Sequence, residues 1–275
     1  MDEARISRRR FSPRLWLAGG WLLLALLAAI LAPLIVPQDP LAQDLMLERL
    51  PPFWLDGAEP GYWLGTDSLG RDLLSRLIFG GRIAFIVAFA AAASACIIGS
   101  ARITRQNRVI SRIVDVWMAF PPVLFAILLV AVLGTGLSSV IIAIAVIDWT
   151  RFCRVIRAEA MGQARMDYVE SAHIAGYGRI GIMLREVLPN VLPSVVALLS
   201  LEMGIAVIVE AILSFVNLSI STDDPTWGGI IAEGRLSIHQ AWWVLVFPLI
   251  TLILTVLSFS QFGEGLKARF DPVLR

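Results

Sequence analysis

The sequence predicts an all-α integral membrane protein with six transmembrane helices, and three observations carry that prediction. The chain of 275 residues is 57% hydrophobic and 16% charged, too apolar for a soluble domain. Six apolar runs approach the roughly 20 residues that a helix needs to cross a hydrocarbon core. The cations alternate: of the 23 Lys and Arg, eighteen fall in the two tails and the segments on their side, and five in the segments opposite. By the positive-inside rule, that bias puts both termini in the cytoplasm.

The elements follow in order. Residues 1–14 form a basic tail with Arg5, Arg8, Arg9, Arg10 and Arg14. Its Ser7-Arg8-Arg9-Arg10-Phe11 resembles a twin-arginine export signal, but the long apolar run behind it, with no Ala-x-Ala site, reads as an anchor. The first span is 15–36. The periplasmic segment 37–82 carries Trp54, Tyr62 and Trp63, residues suited to a membrane–water interface. The second span is 83–100, the third 113–133 and the fourth 137–155. A polar loop, 156–190, separates these from a fifth span at 191–216. The outer loop 217–240 holds Asp223, Asp224 and Glu233, which either meet a protein partner or are simply solvated. The sixth span is 241–262, and 263–275 returns to the cytoplasm.

Several chemistries are excluded. A phosphate-binding P-loop needs Gly-x-x-x-x-Gly-Lys-Ser/Thr, and the single lysine, Lys267, is followed by Ala268. Cys96 and Cys153 have neither metal spacing nor the pattern of a disulfide framework, and His173 and His239 fall on opposite sides of the membrane. No cofactor or metal site is expected in this chain. The near-zero net charge gives no reason to expect nucleic acid.

The polar loop is the most specific feature. Asp167 is a candidate N-cap, with Glu170 three residues on to close a capping box. Gly176 supplies a left-handed stop. The helix between is about 12 Å long. Tyr168, Ala172 and Ala175 fall near one face, small enough in part for another protein to approach. Leu188-Pro189-Asn190 and Pro193 mark entry into the next span, where Pro is tolerated in the first turn. Either Glu170 only caps a helix, or the helix is offered to an ATP-driven motor that the chain itself lacks.

Three acids lie within predicted spans. Asp148 is close enough to Arg151 for an ion pair. Glu202 and Glu210 lie about 80° apart around one helix, and either line a polar path or bond neighbouring helices.

Glu170-Ser171-Ala172, Gly176 and Leu188-Pro189 resemble the Glu-Ala-Ala loop of the membrane subunits of binding-protein-dependent ABC importers. Gly65-Thr66-Asp67-Ser68-Leu69-Gly70-Arg71-Asp72-Leu73-Leu74-Ser75-Arg76, Glu210-Ala211-Ile212-Leu213-Ser214-Phe215, Pro225-Thr226-Trp227-Gly228 with Gly234-Arg235, and Asp271-Pro272 are similar to stretches of dipeptide, oligopeptide and nickel permeases. The layout points to their second, C-type subunit. The resemblance implies a MetI-like transmembrane domain of the type I ABC importers in a bacterial inner membrane. It implies a homologous second permease, two ATPase subunits that bind ATP and Mg2+, and a solute-binding protein on the outer face. By position, Asp167, Glu170, Ser171, Ala172, Gly176, Leu188 and Pro189 would form the ATPase-coupling loop. Cargo would be di- or oligopeptides, or nickel complexes or another small solute on the same machinery. Two other classes, a secondary transporter and a membrane-embedded enzyme, leave the loop pattern unexplained, and copurification with an ATPase separates them. The sequence departs from the family pattern at Ser171, Glu186, Tyr177-Gly178, the basic stretch 99–112 and Val216-Asn217-Leu218-Ser219.

Overall fold

The computed structural model describes residues 13–100, 108–220 and 224–270. Residues 1–12 of the basic tail, Arg102, Arg105, Asp223 and Asp271-Pro272 lie outside the described residues. Among those described, the chain forms helices α1 (Pro13–Ile35), α2 (Leu73–Ser100), α3 (Arg108–Met118), α4 (Pro122–Leu133), α5 (Leu137–Gln163), α6 (Asp167–Ile174), α7 (Arg179–Ile182), α8 (Leu188–Phe215), α9 (Trp227–Leu236) and α10 (Trp242–Phe270). The nearest approach to a sheet in the described residues is one bridge between Thr66 and Asp72.

Four helical runs are long and apolar enough to cross a membrane: Pro13–Ile35, Leu73–Ser100, Arg179–Phe215 and Trp242–Arg269. α5 is 27 residues long but carries Asp148 near its middle and Arg151, Arg154 and Arg157 in its second half. The third expected span, 113–133, is two helices rather than one. Pro121 and Pro122 have no N–H to continue the ladder of α3, so the chain breaks at Ala119–Pro121 and restarts with Pro122 in the first turn of α4.

Other bounds differ for related reasons. Hydropathy marks where apolar residues begin, not where a helix begins. α2 starts at Leu73, ten residues before the expected 83, because Asp72 caps it: the Ser75 N–H donates to Asp72 Oδ2 at 2.8 Å. α5 runs on to Gln163, well past 155. The fifth run starts at Arg179, inside the expected loop, and passes through a π-helical turn at Met183–Val187. That irregularity sits where Pro189 removes a ladder donor, and Asn190 Nδ2 donates to the Glu186 carbonyl at 2.7 Å. The outer loop 217–240 contains α9. α10 continues beyond 262 to Phe270.

α2 lies at the centre, packed against α1, α5 and α8, with α10 closing on α1, α8 and α9. Small residues allow this. Ala84, Ala88 and Ala92 on α2 are buried among Phe85, Met203, Val207, Trp227 and Phe259. Ala91 meets a second cluster of Val130, Val140, Ile144 and Leu213. At Gly99 an added Cβ would lie 2.6 Å from Phe152 Cβ and 2.8 Å from the Trp149 carbonyl, so α2 and α5 touch there almost backbone to backbone.

Candidate functional site

The loop helix α6 is built from its two ends. Its N-cap is Met166, not Asp167, and no side chain caps it. The expected capping box does not form; Asp167 and Glu170 instead occupy the first turn, where carboxylates favour the positive end of the helix dipole. Ser171 Oγ donates back to the Asp167 carbonyl at 2.9 Å. The far end closes as a Schellman motif: Tyr177 N–H donates to the Ala172 carbonyl at 3.1 Å and Gly176 N–H to that of His173 at 3.0 Å. Gly176 takes φ +84°, a region that side-chain-bearing residues rarely adopt.

The face expected to meet a partner is in part the one that α6 buries. Val169 and Ala172 pack onto the chain itself, among Ala95, Phe152, Ile156, Ile182 and Val191. Ala172 is therefore the foot of the helix, while Ala175 is exposed. Tyr168 ties α6 to both flanking helices: its hydroxyl donates to Gln163 Oε1 at the end of α5 (2.8 Å) and accepts from Asn190 Nδ2 at the start of α8 (3.3 Å). This gives the Leu188-Pro189-Asn190 stretch a physical role. A second tie, Ser194 Oγ to Glu159 Oε1 at 2.9 Å, joins α8 to α5. The solvent side presents Ile174 and Ile180, 83% and 77% exposed, beside Tyr177 and Leu184.

Further along the same two helices, Arg151 of α5 meets Glu202 of α8 at 3.1 Å and Asp148 at 3.9 Å. The sequence reading paired Arg151 with Asp148 and missed the shorter contact, because 51 residues separate Arg151 from Glu202. Glu202 is thus half of an interhelical ion pair. Glu210 is wholly buried and accepts from the hydroxyls of Ser214 (2.5 Å) and Ser219 (3.3 Å). It bonds within its own helix and the turn that follows.

The opposite end of the bundle holds a denser polar cluster. Asp67 accepts from Arg71 Nε at 2.8 Å and from Arg76 Nη1. Glu233 accepts from Arg71 Nη2 at 2.8 Å and from Arg76 Nη1 and Nη2 at 2.6 and 3.0 Å. Glu233 is therefore held inside the fold rather than standing as a free surface acid; Asp224 is exposed. Burial alone would push the Glu233 carboxyl up, but the hydrogen bond and charge of Arg76, with Arg71 behind it, hold it below the usual carboxylate range. Asp67 also orders its own turn, accepting from Leu69 N–H at 2.8 Å and Arg71 N–H at 3.1 Å. Gly70, at φ +73°, lies so near the Asp44 carbonyl that an added Cβ would be 1.8 Å from it. Trp227 completes the joint by donating from Nε1 to the Leu77 carbonyl at 2.9 Å, its ring against Gly80.

No group of three or more metal-ligating side chains occurs among the described residues.

The comparisons agree with this architecture. Residues 84–275 match the family described as binding-protein-dependent transport system inner membrane component. The di/tripeptide transport system permease protein DppC of Pseudomonas aeruginosa is 35% identical over 93% of this chain and 86% of its own. The glutathione transport system permease protein GsiD of Pectobacterium atrosepticum is 34% identical over 94% and 86%. An inward-facing structure of the MetNI methionine ABC transporter overlaps 72% of this chain and 97% of its own at a TM-score of 0.60; at 17% identity that likeness speaks to fold alone.

Proposed function

The chain belongs to the binding-protein-dependent transport system inner membrane component family, as a permease subunit of an ABC importer, and from that membership we propose a coupling mechanism and a cargo. The cargo is a di- or oligopeptide, as the names of the peptide and glutathione permeases suggest. ATP with Mg2+ is bound by two separate ATPase subunits, not by this chain. A homologous second permease completes the path, and a solute-binding protein delivers cargo from the outer face. The chain is embedded in the inner membrane of a bacterial cell, with both termini and the α6 loop in the cytoplasm, in line with the cation asymmetry.

The observation that carries the coupling proposal is the mounting of α6. Its inner face is seated on the chain, Tyr168 bridges it to α5 and α8, and Ile174 at its end, with Tyr177 and Ile180 in the turn and helix that follow, stands exposed for a groove on another protein. Closure of the ATPases around nucleotide would displace α6. The Gln163–Tyr168–Asn190 bridge would pass that displacement to α5 and α8, which the Arg151–Glu202 pair keeps in step. Nucleotide and binding protein each shift the equilibrium only to the extent that they favour one state of the path.

The test is reconstitution in proteoliposomes with the companion subunits. ATP-dependent uptake of a labelled dipeptide, stimulated by the binding protein and carried out by a complex that copurifies with the ATPases, is the expected result. Uptake driven by an ion gradient without ATP would refute the proposal.

A further inference from the structure

We infer that one flank of the bundle is a site for a single anionic phospholipid, held by Arg82 at its phosphate and by a groove along α1 for an acyl chain. Two adjoining cavities of about 430 and 230 Å3 share Leu26, Phe85 and Phe89. The larger begins at Gly19 and Leu266, and the smaller ends at Ile30 and Arg82. From Gly19 to Ile30 is eleven residues of helix, about 16 Å, about half of a ~30 Å hydrocarbon core and so about the length one acyl chain takes up. Apart from Ser200 and Arg82, the lining is apolar, so the groove suits a hydrocarbon chain and not a peptide.

Arg82 supplies the independent observation. It lies nine residues inside α2, is exposed, and makes no ion pair or hydrogen bond with any described residue. The other two arginines near this end of α2, Arg71 and Arg76, are both paired with acids. A cation on a membrane-spanning helix is costly unless it finds a counter-charge or reaches the interface. Arg82 stands at the level of Ile30, five residues, or about 8 Å, short of the end of α1, within reach of a headgroup once its long side chain extends toward the surface. A phosphate there meets a guanidinium with donors to spare, and the chain below it continues into the groove between Ile30 and Leu26.

The experiment is native mass spectrometry of the detergent-solubilised complex, with its permease and ATPase partners, titrated with phosphatidylglycerol or phosphatidylcholine of identical acyl chains. The wild type should retain one phosphatidylglycerol per copy of this chain in preference to phosphatidylcholine. Arg82→Gln should weaken phosphatidylglycerol binding about tenfold, the loss of one charge-assisted contact, while Arg82→Lys should keep the preference. Leu23→Trp, an exposed position on the groove wall, should weaken both lipids. Equal phosphatidylglycerol retention by the wild type, Arg82→Gln and Leu23→Trp would overturn the site. So would loss of the second permease from Arg82→Gln with lipid content unchanged, which would place a protein acid opposite Arg82. Neither outcome depends on the cargo or on ATP coupling.

Discussion

At the α9 end, Arg71 and Arg76 share Asp67 and Glu233 across elements more than 150 residues apart, and Trp227 is wedged against Gly80. At the α6 end, an eight-residue helix rests on Val169 and Ala172 and is tied down by one tyrosine hydroxyl. The first joint is over-determined: removing any one contact leaves others in place. The second is firm enough to define a shape and light enough to move. For a protein proposed to answer an external motor, that division puts stability where the bundle must hold and compliance where it is pushed.

The comparison breaks most severely at Arg76. Arg76→Ala would leave Asp67, wholly buried, with Arg71 as its one remaining charged partner beside the backbone N–H groups of Leu69 and Arg71, and breaking a buried pair costs about 3–5 kcal/mol. Loss of most folded protein, or a sharply lowered melting temperature in detergent, is expected. Gly228→Ala should be next. Its Cβ would fall 2.0 Å from the Ala211 carbonyl, so α9 must lift from α8, at about 1–3 kcal/mol. Thermal melting should show this loss, without the near-complete loss expected of Arg76→Ala.

At the other end the expected cost is smaller and local. Gly176→Ala forces a side chain into the left-handed region for about 1–2 kcal/mol, with open space around it. The amount of inserted protein should equal that of the wild type, while proteolysis at Tyr177–Gly178 should speed up. A drop in insertion as large as that of Gly228→Ala would erase the distinction between the ends.

The smallest effect is the pH dependence that Glu233 contributes. Glu233 has its folded pKa held below the unfolded value, so the stability it contributes is present above the ordinary carboxylate range. That contribution is lost as the pH falls through the lowered value. Glu233→Gln should remove this part of the acid limb of a stability–pH curve and leave the neutral region flat.

Much of the compliant end was legible from sequence because its cues are local. Asp167, Glu170 and Gly176 lie within ten residues, and the glycine stop forms as the pattern predicts. The N-cap differs by one residue, since Met166 takes the extended backbone before Asp167 can. Ala172 faces inward for a reason no helical wheel of eight residues gives: the surface under it comes from α2, α5 and α8. The rigid end was legible only as motifs. Asp67 and Arg71 sit in a stretch with a family likeness, but they meet Glu233 across more than 150 residues, and Glu233 reads as a surface acid, solvated or meeting a partner, until the chain is folded. The break at Pro121-Pro122 was visible in the sequence, and a hydropathy average across it concealed it.

Coupling through α6 is tested most directly by one measurement, made on the reconstituted complex with wild type, Gly176→Pro and Glu170→Arg. Proline fixes φ near −65° and cannot occupy the position of Gly176, and an arginine at 170 puts a cation at the positive end of the α6 dipole. Subunit content of the membrane, ATP hydrolysis stimulated by the binding protein, and peptide uptake are read together. The account predicts normal content for both variants with uptake and stimulated hydrolysis lost. Normal content with uptake and hydrolysis still coupled at the wild-type ratio would contradict it, because α6 would then transmit nothing.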